Sequence, residues 1–251
     1  MDAPPALDLA RPRGLGGLLD ATMALYVRHF AVFALSALGV VAVVDLLLLG
    51  VGEGLLTSGY SGGGSWWWAG EAVAYTLVAT PLVTAVHVRI VQDIADGRTP
   101  GLRRALRQGA AAFPIVALVV LVYCLGTLLG TLLLIVPGIY LAIRWLFAPQ
   151  VAVVEASDDV GEALSGSSDL VRGSWWRVFG ISLVLYTLAF AAAAILGIPL
   201  ELAAGALDSG ALELLAAIVL GTVSLSFVAL TGTLLYFDLR ARLHLREASP
   251  A

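Results

Sequence analysis

Six runs of apolar residues, each near the length of a bilayer crossing, constrain this chain more than any other feature. They cover residues 30–51, 70–91, 111–136, 139–155, 176–200 and 212–237. A membrane core is ~30 Å thick, and a helix needs ~20 mostly apolar residues to span it. With no water inside the core, the backbone must satisfy its own polar groups, which for such runs means helices. Composition agrees: 60% of the 251 residues are hydrophobic and only 13% are charged, where soluble domains carry about 25% charged residues. The sequence therefore predicts an all-α, polytopic membrane helix bundle with six transmembrane helices. The first 29 residues hold no continuous apolar core, so no cleavable signal is expected and the first span directs insertion.

The arginines set an orientation. All basic residues are Arg, and none lies in the connections 52–69, Pro137-Gly138 or 201–211. Arg11, Arg13 and Arg28 precede span one; Arg89, Arg98, Arg103, Arg104 and Arg107 end span two or follow it. Arg172 and Arg177 separate spans four and five, and Arg240, Arg242 and Arg246 follow span six. By the positive-inside rule both termini face the cytoplasm, and Trp66-Trp67-Trp68 marks the outer interface. The Lys-free, Ala- and Leu-rich usage points to a GC-rich bacterium, hence to its cytoplasmic (inner) membrane. Residues 1–13 read as a flexible cytoplasmic N-terminus, 14–245 as one integral membrane domain and 246–251 as a cytoplasmic tail. Pro137-Gly138 reads as the break between spans three and four, and Pro149 as a kink. One span plus a re-entrant piece over 111–155 is the alternative, although 45 residues are too many for one crossing.

An internal repeat precedes alternate spans. Leu15, Leu19, Thr22, Tyr26 and Phe30 are spaced 4, 3, 4, 4, as are Val160, Leu164, Ser167, Val171 and Trp175. Leu102, Leu106, Gly109 and Phe113 repeat the 4, 3, 4. Each set marks one helical face, with Asp20, Arg104, Arg107, Glu162 and Asp169 elsewhere. The third slot is always small: Thr22, Gly109, Ser167. Three cytoplasmic amphipathic helices are expected, each followed by a transmembrane hairpin.

No catalytic pattern survives inspection. Asp93-Ile94-Ala95-Asp96-Gly97-Arg98 opens like a CDP-alcohol phosphotransferase signature, but its later acids are missing, and a capped helix end is the better reading. There is no Gly-x-Ser-x-Gly elbow, no His-Glu-x-x-His and no Lys for a phosphate loop. The lone Cys124 reads as a buried thiol, and neither a cofactor nor a metal is expected. Gly126 and Gly130 form a GxxxG pattern that suits packing within the chain, while Ser224, Ser226, Thr231 and Thr233 turn span six toward other helices.

Ionisable groups inside or near the spans are the candidate sites: Asp45, Glu71, His87, Arg89, Arg144 and Glu155. His87 reads as a hydrogen-bonded interface residue. Asp45 and Arg144 lie at similar depth when counted from the outer ends of spans one and four. They are expected to pair, making those spans neighbours, with Glu71 the competing partner and snorkelling past Tyr140 the other outlet for Arg144. Arg103, Arg104 and Arg107 are candidate contacts to anionic lipid, each worth ~1 kcal/mol.

Val136-Pro137-Gly138-Ile139-Tyr140, Ala148-Pro149, Glu155, Ala163-Leu164, Ser167, Leu170-Val171, Trp175-Trp176-Arg177-Val178-Phe179-Gly180 and Leu234-Leu235-Tyr236-Phe237-Asp238-Leu239-Arg240 together form a further pattern. It resembles the bacterial glycerophosphoryl diester phosphodiesterase membrane-domain family and the related YciC-type inner-membrane proteins. Some members of that family carry a catalytic barrel, which needs ~250 residues of its own; this chain has no room for one. The resemblance implies a membrane domain, and it supplies no substrate or catalytic residue to carry over. The expected role is a non-enzymatic protein organising lipid, or another membrane or envelope protein, at the cytoplasmic face. A small-molecule or lipid transporter or channel is the alternative, with Pro81, Pro149 and glycine breaks along its path. Nucleic acid is not an expected partner.

Overall fold

The computed structural model describes residues 8–55 and 65–248, and among them every regular element is a helix. The chain is an integral membrane protein built as an all-α bundle. Six helical stretches are long and apolar enough to cross a bilayer. In chain order they and their companions are α1 (Leu15–Arg28), α2 (Phe30–Leu55), α3 (Ser65–Ala74) and a π-helical turn, Tyr75–Ala79. Then come α4 (Thr80–Ala95), α5 (Leu102–Leu133), α6 (Ile135–Arg144), α7 (Ala148–Val154), α8 (Val160–Val171), α9 (Trp175–Ala206) and α10 (Gly210–Ala248). The second span is thus α3, the π turn and α4 in one run; the fourth is α6 and α7 in two pieces. The side chains of Trp66, Trp67 and Trp68 lie outside the described residues, as do residues 1–7 and 249–251.

The sequence pattern and the structure differ at three junctions. First, the second amphipathic segment is not a separate helix but the opening turns of α5, which runs unbroken through Pro114. Packing holds it in line. Gly109 lies so close to α4 that a Cβ there would stand 2.4 Å from Val86 Cγ2 and 3.1 Å from the Val86 nitrogen. Second, the break after α5 falls at Leu134, the single residue between α5 and α6, which is extended (φ −162°, ψ 143°), and not at Pro137-Gly138. Proline is tolerated in a first helical turn, where its missing N–H has no intrahelical partner to lose. Pro137 therefore helps to start α6. Third, the kink expected at Pro149 is a full interruption over 145–147. At ten and seven residues, α6 and α7 are each too short to cross ~30 Å of hydrocarbon alone.

Small residues decide which helices touch. Gly126 packs on Trp145, and Gly130 faces Gly138 with the two backbones 3.1 Å from a built Cβ, so the GxxxG pattern joins α5 to α6 within one chain. Thr22 and Ser167, the other small third-slot residues, are both fully buried. The stripe on α1 is rotated from the expected frame: Leu18, Thr22, Leu25 and Tyr26 are buried, whereas Leu15 and Phe30 are exposed. Leu18 was the better anchor because α1 leans on α10, which the spacing of α1 alone does not encode. The segment expected to be flexible is tied at its end, where the Arg13 carbonyl accepts from Arg177 (2.9 Å) and Arg242 (2.8 Å).

Gly138→Ala is expected to drive a methyl into Thr131, whose Cα and N would lie 2.7 Å away. Overpacking of this kind costs ~1–3 kcal/mol, to be read as a lowered unfolding midpoint in detergent. Gly180→Ala in α9 meets nothing within 4 Å and should leave the midpoint unchanged or raise it slightly.

Candidate functional site

The expected pair between Asp45 and Arg144 does not form. Asp45 accepts a hydrogen bond from Tyr75 Oη at 2.8 Å, and its other oxygen has no partner. Glu71 stands near enough to interact with its charge. The helix that carries Asp45 packs on α10 and α4, whereas the one that carries Arg144 packs on α5, α8 and α9. Equal depth along two spans does not make them neighbours, and α2 and α6 pack mainly on different helices.

His87 is fully buried and has both ring nitrogens engaged. Nδ1 donates to the Val83 carbonyl at 2.9 Å, which leaves Nε2 to accept from Ser226 Oγ at 2.9 Å. Phe33 packs on the ring at 5.1 Å, so this histidine joins α4, α10 and α2. Arg89 donates to Gln92 (3.1 Å) and to the Val153 carbonyl (3.0 Å), placing a cation at the C-terminal end of α7. Glu155 is exposed at that same end. Arg103 and Arg107 are exposed on α5. Arg104 instead leans toward Asp93 at 3.6 Å. Asp93 is committed to Arg98 at 2.8 Å, and Gly97 takes the left-handed conformation (φ +70°) that ends α4. The acid pair of that segment thus serves a helix terminus.

Arg144 belongs to a different constellation. Ser167 Oγ on α8 donates to the Arg144 carbonyl (2.9 Å) and accepts from the Phe147 N–H (3.1 Å), bridging the interruption between α6 and α7. This draws the end of α8 and the start of α9 up against α6. Trp175 Nε1 donates to the Tyr140 carbonyl at 3.3 Å, and its indole stacks on Tyr140 and Phe179. The Arg144 guanidinium bonds Tyr140 Oη at 3.2 Å and lies 5.9 Å from that ring centre. Two adjoining hollows of about 160 and 470 Å3 share Arg144, Ser168 and Arg172 in their walls. Arg172 pairs with Asp169 at 2.8 Å, and its carbonyl accepts from Arg246 at 3.4 Å. Arg144 has no ion-pair partner among the described residues. The hollow therefore holds two guanidiniums against one carboxylate, beside Trp176, which is 78% exposed.

Next to it, Asp238 anchors the arginines of three segments. It is fully buried, accepts from the Arg13 backbone N–H, and pairs with Arg177 at 2.9 Å and Arg242 at 3.1 Å. The sequence reading names Tyr140 as an outlet for Arg144, and the structure joins the two; it assigns no role to Asp238 and does not bring Arg172 and Trp175 to that place. The four-residue step from Asp238 to Arg242 and the three-residue step from Asp169 to Arg172 were the available signals. Outside the spans, partial burial and then the charge of Arg28 hold His29 below the usual histidine range.

No protein-family model, no curated protein and no solved structure matches the chain.

Replacing Asp238 by Asn leaves two guanidiniums beside a neutral amide. Removing one partner of a buried charge pair costs ~3 kcal/mol or more, so the unfolding midpoint should fall by several degrees. Glu155→Gln, at an exposed side chain with no ion pair among the described residues, should leave it within error of wild type.

Proposed function

We propose that this multi-pass protein is a non-enzymatic membrane module that binds the headgroup of an anionic phospholipid at the Arg144–Arg172 hollow. The observation that carries the reading is the charge imbalance there: two guanidiniums meet one carboxylate, in a hollow flanked by Tyr140, Trp175 and Trp176. Guanidinium forks match phosphate oxygens, and Trp and Tyr favour the depth of lipid headgroups. Acyl chains would find neighbouring cover on the α5–α6 hairpin, where Leu132, Leu133 and Val136 are more than 70% exposed. Ser168, shared by both hollows, has its Oγ engaged in a hydrogen bond to the Leu164 carbonyl at 2.8 Å. The arginine asymmetry supports a bacterial cytoplasmic membrane with both termini inside. Arg103 and Arg107 would add a diffuse attraction to the same leaflet. The reading does not rest on the resemblance to the glycerophosphoryl diester phosphodiesterase membrane-domain family.

Reconstitution in nanodiscs of phosphatidylglycerol mixed with phosphatidylcholine, followed by native mass spectrometry, tests it. Phosphatidylglycerol should be retained selectively. Arg144→Gln and Arg172→Gln should each weaken retention about fivefold, the equivalent of ~1 kcal/mol per arginine. Excess inorganic phosphate should not displace the lipid, because the acyl chains contribute most of its membrane affinity. Displacement would identify a free phosphate as the ligand, and equal retention of both lipids would sink the reading.

A further inference from the structure

A separate cavity of about 310 Å3 lies between the helices, walled by α4 and the π turn, α5, the α6–α7 interruption, α7, α9 and α10. Most of its lining is apolar, with Val120, Phe147, Leu185, Leu225 and Leu235 as the larger contributors. Thr76, Thr80 and Thr84 reach it from one face of the second span, four residues apart. Tyr123, Gln150, Ser182 and Tyr186 join them, and no charged side chain lines it. Two of these groups are out of hydrogen-bond balance. Gln150 is 7% exposed and its Oε1 has no partner; Ser182 is 4% exposed and its Oγ has none. Buried polar atoms in native proteins are nearly always satisfied, and an exception asks for a water or a ligand.

Backbone irregularities converge on the same place. Thr76 lies within the π turn, Leu146 and Phe147 belong to the interruption, and Pro149 opens α7 beside it. Turns of the π type concentrate at functional sites. Non-helical backbone at membrane depth is found where it is buried in protein or lines a cavity. The volume is at the lower end of the ~300–1,000 Å3 typical of ligand pockets.

We propose that this cavity binds an uncharged amphiphile, a membrane alcohol or glyceride whose head both donates and accepts hydrogen bonds. A charged head would enter a wall without a counter-charge, at high desolvation cost. Gln150 Oε1 can only accept, so the ligand must offer it a donor; the Ser182 hydroxyl can donate in return. The apolar remainder of the wall takes the chain. This site differs in place and in chemistry from the arginine hollow, and it does not depend on it.

The test uses the purified full chain in detergent with monooleoylglycerol as probe. Oleate serves as the charged-head control and octadecene as the headless one. Thermal unfolding and native mass spectrometry give the readouts. Monooleoylglycerol should form an adduct and raise the midpoint, and the two controls should do neither. Gln150→Leu and Ser182→Ala should each lower probe affinity about tenfold, the size of a lost hydrogen bond. Neither should lower the midpoint of the ligand-free protein, because each removes an unsatisfied atom. A lowered ligand-free midpoint in both would instead assign them a structural role and overturn the proposal. So would unchanged probe affinity in both variants, equal stabilisation by oleate or octadecene, or no adduct at all, which means water only. Thr84→Val, on the facing wall, gives a third variant with the same expected loss should Gln150→Leu fail to fold. Arg144→Gln should leave probe binding intact, which separates failure here from failure at the headgroup hollow.

Discussion

A polypeptide in hydrocarbon has no water to which its peptide groups can turn, so every interruption of a helix must be closed by another part of the protein. Here the interruption lies between α6 and α7, and one hydroxyl closes both of its sides. Ser167 donates to the carbonyl that ends α6 and accepts from the N–H that precedes α7. Each such bond adds only ~1 kcal/mol net, but leaving the buried groups unmade would cost more. At the far end of α7, Arg89 does the same for the Val153 carbonyl. A single short helix is thereby held at both ends by side chains from α8 and α4.

Much of the remaining arrangement follows from that latch. With α8 fastened to the interruption, its last turn delivers Arg172 beside Arg144, and Trp175 onto Tyr140. The arginine that looked anomalous within an apolar run is the residue at which α6 stops. Its backbone helps to close the gap, and its guanidinium is left to face an interface rich in indole and phenol rings. The same gap, viewed from the inner side of the bundle, exposes Phe147 and Gln150 to the cavity between α4, α5, α9 and α10. Both candidate sites therefore trace to one discontinuity.

Buried carboxylates elsewhere differ in the partners they meet. Asp238 gathers Arg13, Arg177 and Arg242, which fastens the N-terminal segment and α9 to α10. Asp93 gathers Arg98 and Arg104 at the α4–α5 turn. Asp45, within an apolar span, is met by a phenol and not by a cation. The two acids with cationic partners are the more completely buried ones, as expected where an unpaired charge in low dielectric is expensive.

Several features were legible from the sequence because they depend only on local chemistry. The six apolar runs determined an all-α membrane bundle, since lipid permits such segments no other backbone. The 4, 3, 4 spacing marked Thr22, Gly109 and Ser167, and all three are buried contact points. His87 reads from the sequence as a hydrogen-bonded residue, and its two nitrogens meet Val83 and Ser226. Junctions were less legible. Whether a proline ends one helix or begins the next depends on where the preceding residue turns, and here that is Leu134 and not Pro137. Whether an amphipathic segment stands apart or fuses with its span was decided by the fit of Gly109 against Val86. The partners of Asp45 and Arg144 could not be read from depth, because depth along a chain says nothing of which helices are neighbours. That choice belongs to side-chain packing between distant segments, and only the tertiary structure makes it.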